Sequence, residues 1–199
     1  IVLASDSSYA TITTANHWLL NDVYIDNPAG NYHLQDSLKI IDTLFLQAGG
    51  LFTEGEHLLL NAFHSNTNAE RRLHLSSSTI NIEDYNAPYL IWEKFTFETE
   101  NLTLDAGTSH IYINYGGIQQ YGNADTVRLH NATFWGIGGI YSDHQLIYFN
   151  KLSFWNNSYF SSSINADSFE IQGGFEYQFY SGHDMETRVF LPNTSCATY

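Results

Sequence analysis

Seven lysines and arginines stand against 21 aspartates and glutamates in this chain of 199 residues, a formal charge of -14. Cations this scarce exclude the basic patch that nucleic acid or an anionic membrane face requires. Cysteine is as rare. Cys196 is the only one, so no intrachain disulfide forms and the redox compartment stays open. No apolar run approaches the ~18 residues of a spanning helix, which excludes membrane insertion by that route. The phosphate fingerprint Gly-x-Gly-x-x-Gly, the elbow Gly-x-Ser-x-Gly and the zinc pattern His-Glu-x-x-His are all missing. No signal peptide is visible, and the start at Ile1 reads as a segment of something longer.

Aromatic residues are plentiful at 16%, with 14 Tyr, 13 Phe and 4 Trp. They combine large buried area with β-propensity and so favour a packed β structure over disorder. The organising stretch is Leu44-Phe45-Leu46-Gln47-Ala48-Gly49-Gly50-Leu51-Phe52, an alternating run, a small-residue corner and a second apolar run. Looser versions recur from Leu73, Leu102, Val127, Leu152 and Phe169. Starts at 44, 73 and 102 are 29 residues apart, those at 102, 127 and 152 are 25 apart, and 169 follows after 17. Turn residues break the apolar runs before three helical turns can form, so a helical reading fails. Short strands ending in tight polar corners, repeated along a chain, predict a solenoid with coils of roughly 20 to 30 residues.

The expected architecture is therefore all-β, a single-stranded right-handed parallel β-helix with short rungs and surface loop insertions. Each short strand gains its hydrogen bonds from the turns above and below, and parallel crossovers favour right-handed winding. An antiparallel sandwich accounts for the alternation but less well for the recurring corner and return. Residues 1 to 18 are expected to form an opening strand or cap, 19 to 182 the β-helix, and 183 to 199 a terminal strand and tail.

The rungs beginning at Leu44, Leu73 and Leu102 resemble those of right-handed parallel β-helix regions in large secreted or surface proteins of bacteria, of the Bacteroidetes type. The resemblance covers about residues 19 to 182. It implies an extracellular location and a single-chain module of a longer protein. Such regions include adhesin stalks, polysaccharide lyases and glycoside hydrolases, so the fold alone does not choose the activity.

Two functional readings follow. The first is an extracellular scaffold or adhesive module that is not an enzyme and meets a glycan or a surface protein. For it, Trp92, Tyr112, Tyr115, Trp135 and Trp155 are the candidates to stack on sugar rings, with Tyr121, Tyr148 and Tyr159 as further members; the competing role for each is core packing. The alternative is a carbohydrate-active enzyme, a hydrolase or a lyase. Glycoside hydrolysis needs two carboxyl groups held across a sugar linkage, and Glu98, Glu100 and Asp105 are the nearest such group. Solvated corner carboxylates are the competing reading. A lyase needs cations, and the adjacent pair Arg71-Arg72 beside Glu70 reads mainly as a rung-edge ion pair.

No cofactor is expected. Calcium is favoured slightly over zinc as a metal, since oxygen ligands abound, with Glu83, Asp84, Asp105 and Asp125 as candidates. The nine histidines lack compact ligand spacing, although His74, His110 and His130 lie beside proposed corners.

Overall fold

The computed structural model describes residues 1–83, 93–122, 126–142, 146–155, 158–160, 163–172 and 178–179. Among them the chain winds as a right-handed, all-parallel β-solenoid, as the repeated short strands predict. Each turn visits three faces in the same order. The opening turn is β1 (Val2–Leu3), β2 (Ala10–Ile12) and β3 (Trp18–Leu19). The next two are β4 (Val23–Leu34) with β5 (Leu38–Ile40), and β6 (Thr43–Phe52) with β7 (Leu58–Leu60); β4 and β6 each run across faces one and two. Turns four and five use three separate strands: β8 (Ala62–Ser65), β9 (Arg71–His74) and β10 (Thr79–Ile82), then β11 (Glu93–Glu98), β12 (Leu102–Asp105) and β13 (His110–Ile113).

After that the division changes. Face one is formed by β14 (Gly116–Tyr121), β16 (Gly138–Ser142), β18 (Ser158–Phe160) and β20 (Gln178–Phe179). Faces two and three are shared by the single strands β15 (Thr126–Phe134), β17 (Leu146–Phe154) and β19 (Ser163–Ile171).

Strand alternation places every second residue inward, and parallel register stacks those residues into columns. On face three the inward columns are Leu58, Ile80, Ile111, Ala132 and Leu152, and Leu60, Ile82, Ile113, Phe134 and Phe154. Face one supplies Val23, Leu44, Phe63, Phe95, Ile118 and Ile140. All of these are buried in one continuous core. The rings of Phe63 and Phe95 stack at 5.0 Å, and those of Phe134 and Phe154 at 5.1 Å.

The true repeat is less regular than the even spacing of the starts at 44, 73 and 102 implies. Leu58, Ile80, Ile111, Ala132 and Leu152 occupy one column at intervals of 22, 31, 21 and 20 residues. The interval from 44 to 73 mixes faces, and that from 73 to 102 joins two face-two residues that are two positions out of register, since Leu102 pairs with Arg71. Leu44 pairs on face one, whereas Leu73 belongs to face two, between Leu51 and Leu104.

Corner chemistry fixes the path. Gly49 lies in the left-handed region at φ 82, and a Cβ there would meet the backbone oxygens of Asn27 and Gly30 on the preceding turn. That position requires glycine. The corner between faces two and three repeats a left-handed residue on successive turns, Glu54 at φ 54, Ser76 at φ 50 and Gly107 at φ 52. Thr53 N donates to His74 O at 2.9 Å and Leu75 N to Asp105 O at 2.8 Å, which keeps these corners in register.

Candidate functional site

The residue after each face-three strand turns the corner toward face one. Glu83, Asn114, Trp135, Trp155 and Gln172 occupy this position on five successive turns. Their backbone N–H groups donate to Leu60 O, Ile82 O, Ile113 O, Phe134 O and Gln172's partner Phe154 O at 2.8 to 3.0 Å. The ladder thus lines up five side chains, two of them tryptophan, along the solenoid axis at a spacing of about 4.8 Å per turn. Trp135 and Trp155 meet in this column with ring centroids 4.1 Å apart and planes at 39°. Their exposures are 44% and 40%, so both rings keep open surface.

Beside that corner runs an outward column of face three, Leu59, Asn81, Tyr112, Thr133, Ser153 and Glu170. Between column and corner lies an open groove of about 620 Å³, lined by His57, Thr79, Asn81, Ile82, Glu83, Tyr112, Asn114 and Trp135. That volume lies within the ~300–1,000 Å³ of small-molecule sites. Tyr112 is held in place by His110, whose ring stacks on it at 4.0 Å and 8°. His110 Nε2 in turn shares a hydrogen bond of 2.8 Å with Thr133 Oγ1. Burial, followed by the charges of Lys151 and His130, pushes the His110 imidazole below its ordinary value.

The sequence candidates distribute as follows. Tyr112 and Trp135 line the groove, and Trp155 backs Trp135. Tyr115 is exposed but leans on Gly136, whose missing Cβ leaves room for the ring. Tyr148 lies under the Arg128 guanidinium at 4.6 Å and donates to Asp167, a face-two arrangement away from the groove. Trp92 lies outside the described residues, and nothing is described of the Tyr159 side chain.

Of the candidate acids among the described residues, Glu83 alone lines the groove. Asp84 and Asp125 lie outside the described residues. Glu98 packs where Gly122 leaves space, and Glu100 is exposed at the corner leading to β12. Asp105 sits at the far end of β12 from that corner, with Oδ1 accepting from Gly107 N at 3.0 Å and Oδ2 3.5 Å from His74 Nδ1. Among the described residues, no group of three His, Cys, Asp or Glu side chains is placed to hold a metal ion. No helix of the described residues is long and apolar enough to cross a membrane.

The three histidines beside corners separate. His110 and His130 interact on adjacent turns, whereas His74 is on face two. There it ends a ladder of stacked rings, Tyr9 on His33 at 4.0 Å, His33 on Phe52 at 4.5 Å and Phe52 on His74 at 4.5 Å. Glu54 pairs with His33 at 2.6 Å, as Asp105 does with His74. These rings cover one another's faces, so the ladder stabilises face two and leaves little area for a ligand.

The basic pair divides as well. Arg72 reaches Glu70 at 3.0 Å and, passing over Gly50, Asn31 Oδ1 at 2.8 Å. Arg71 is fully buried. It donates to the carbonyls of Ser65, Ala69, Glu98 and Glu100 and to Ser65 Oγ. Burial pulls its guanidinium below the ordinary value and the Glu98 charge opposes that, but an arginine stays charged.

Asn81, Asn114, His57 and Thr79 are the groove residues that sequence reasoning missed. Thr79 and Asn81 lie on β10, His57 just before β7 and Asn114 just after β13, so they come together only once the register is known. Comparison with protein-family models, with curated proteins and with solved structures finds no match for this chain.

Proposed function

We propose that this chain is an extracellular scaffold or adhesive module of a bacterial surface or secreted protein, and that it binds glycan along face three without cleaving it. The observation that carries this reading is the groove beside Trp135. It offers the open surface of a tryptophan, the tyrosine Tyr112 and the amides Asn81 and Asn114 in one concave site. Sugar recognition needs apolar ring faces for the C–H side of a pyranose and planar amides for its hydroxyl groups, and this groove joins the two. The solenoid supplies a rigid backbone under them, since each contributing strand is hydrogen-bonded to both neighbouring turns. Glu98, Glu100 and Asp105, the carboxylates of the hydrolytic alternative, lie at the end of β11, on the corner after it and at the end of β12, on another side of the turn.

The test is affinity electrophoresis of the 199-residue chain through gels containing individual polysaccharides, with chromatography of the recovered polysaccharide. Retardation that Trp135→Ala removes, with polysaccharide length unchanged, is the expected result. Shortened or unsaturated products that disappear in Glu98→Gln or Asp105→Asn would replace this reading with the enzymatic one.

A further inference from the structure

The ring stack in the corner column stops abruptly. Trp155 covers one face of Trp135, and on the next turn in the other direction the column holds Asn114. Asparagine fills far less of that level than an indole, and the space it leaves belongs to the groove, which both residues line. One turn further, the same column adds Glu83 to the groove's lining. The site therefore has a flat apolar wall, a gap about one stacked ring deep and a carboxylate beyond it.

Resting on the glycan-binding reading above, we propose that the ligand is an amino sugar carrying a free ammonium group. Its pyranose ring continues the stack on Trp135, and its ammonium pairs with Glu83. Three features select this class. The open indole surface takes a flat ring, and an axial spacing of about 4.8 Å per turn matches ring-on-ring stacking. Asn81, Asn114 and Thr79 supply the donors and acceptors that hydroxyl groups use, which favours a sugar over an unadorned aromatic ring. The charged group among the described lining residues is the carboxylate of Glu83, and the chain as a whole carries -14, so a cationic sugar is attracted and a uronate repelled.

The experiment is titration calorimetry at moderate salt with three oligosaccharides of equal length: deacetylated chitosan oligomers, their fully N-acetylated forms and oligogalacturonate. The cationic oligomer should bind best, the neutral one about tenfold more weakly, and the anionic one not measurably, a tenfold step being the size of one charge-assisted hydrogen bond. Glu83→Gln should bring the cationic oligomer down to the level of the neutral one, closing the gap between them. Asp26→Asn removes the same charge from an exposed position on β4 and controls for overall attraction, so it should change neither. Trp135→Ala should weaken all binding by tenfold or more.

The outcomes separate the two readings. If Asp26→Asn acts as strongly as Glu83→Gln, or if oligogalacturonate competes equally, the amino-sugar assignment is overturned while glycan binding stands. If no oligosaccharide binds, or if Trp135→Ala changes nothing, the groove is not a glycan site and both fail. Circular dichroism of each variant shows whether a loss reflects unfolding, and the more conservative Trp135→Phe, which keeps a ring, should then retain partial binding if the stack is the cause.

Discussion

The early and late turns of the solenoid bend in different places. In β4 and β6 the chain runs from face one into face two within a single strand, and after β6 the corner into face three takes the left-handed Glu54. In β15, β17 and β19 it runs from face two into face three within a single strand, and left-handed glycines flank face one just before the first of them, Gly116 at the start of β14 and Gly122 after it. The joint between these regimes is the pair of turns holding β8 to β13, where all three strands are separate. Arg71 sits at this joint. It ties the carbonyls of Ser65 and Ala69 on one turn to those of Glu98 and Glu100 on the next. A continuous strand satisfies its backbone through the ladder, whereas a corner leaves carbonyls unpaired and requires another donor. The buried guanidinium supplies it.

Removing that donor should have the largest effect. Arg71→Leu leaves several buried carbonyls without a partner and should cost on the order of 3–5 kcal/mol in urea unfolding. Arg71→Lys keeps the charge but cannot span both turns, and should recover only part of the loss. A variant as stable as the parent would break the link between the joint and the guanidinium. The corners between faces two and three in the joint turns offer a smaller, paired test. Gly107→Ala places a Cβ against the Ser76 backbone at a left-handed φ and should cost about 1–3 kcal/mol. Ser76→Gly relieves the same conformation one turn earlier and should be neutral or stabilising by up to about 1 kcal/mol. Equal signs for the two would mean that the stacked corners do not carry the strain.

The class of fold was legible because period-two alternation and small-residue corners are local properties. The Gly49-Gly50 corner, read as the centre of the pattern, is indeed the close-packed bend that lets β6 cross two faces. Register was not legible. A strand of three or four residues such as Leu73-His74-Leu75 fits any face equally well, and the 31 residues from Ile80 to Ile111 stretch one turn beyond the others. For the same reason Arg71 and Arg72 read alike in sequence, although one is buried and the other partly exposed. The groove shows the limit most clearly. Tyr112 and Trp135 were identified by residue type, whereas Asn81, Asn114 and His57 acquire meaning only by stacking beside them from other turns.

Proton linkage gives the smallest effect and distinguishes the joint from the ends. His64 and His110 belong to the two joint turns, and both imidazoles are held below their ordinary value, mainly by burial. Lys94 adds to this at His64, where Glu93 and Asp22 oppose it; at His110 the added charges are Lys151 and His130. A depressed histidine means that the unfolded chain takes up the proton first. Stability is therefore full above about pH 6.5 and falls as the pH drops below it, by no more than one linked proton per imidazole. At the ends of the solenoid the sign is reached in another window. Asp36 is lowered chiefly by the Thr14 backbone N–H, and Glu170 chiefly by Lys151. Their contribution is present above the ordinary carboxylate range and is lost only as the pH falls below about 4. Urea midpoints measured from pH 8 to pH 5 should therefore slope in the parent and flatten in a variant that replaces both joint histidines. His64→Asn keeps an acceptor for Thr96 where Nδ1 stood at 2.7 Å, and His110→Gln does the same for Thr133 at the Nε2 position. An unchanged slope in that double variant would place the linked protons outside the joint, and with them the difference between the two halves.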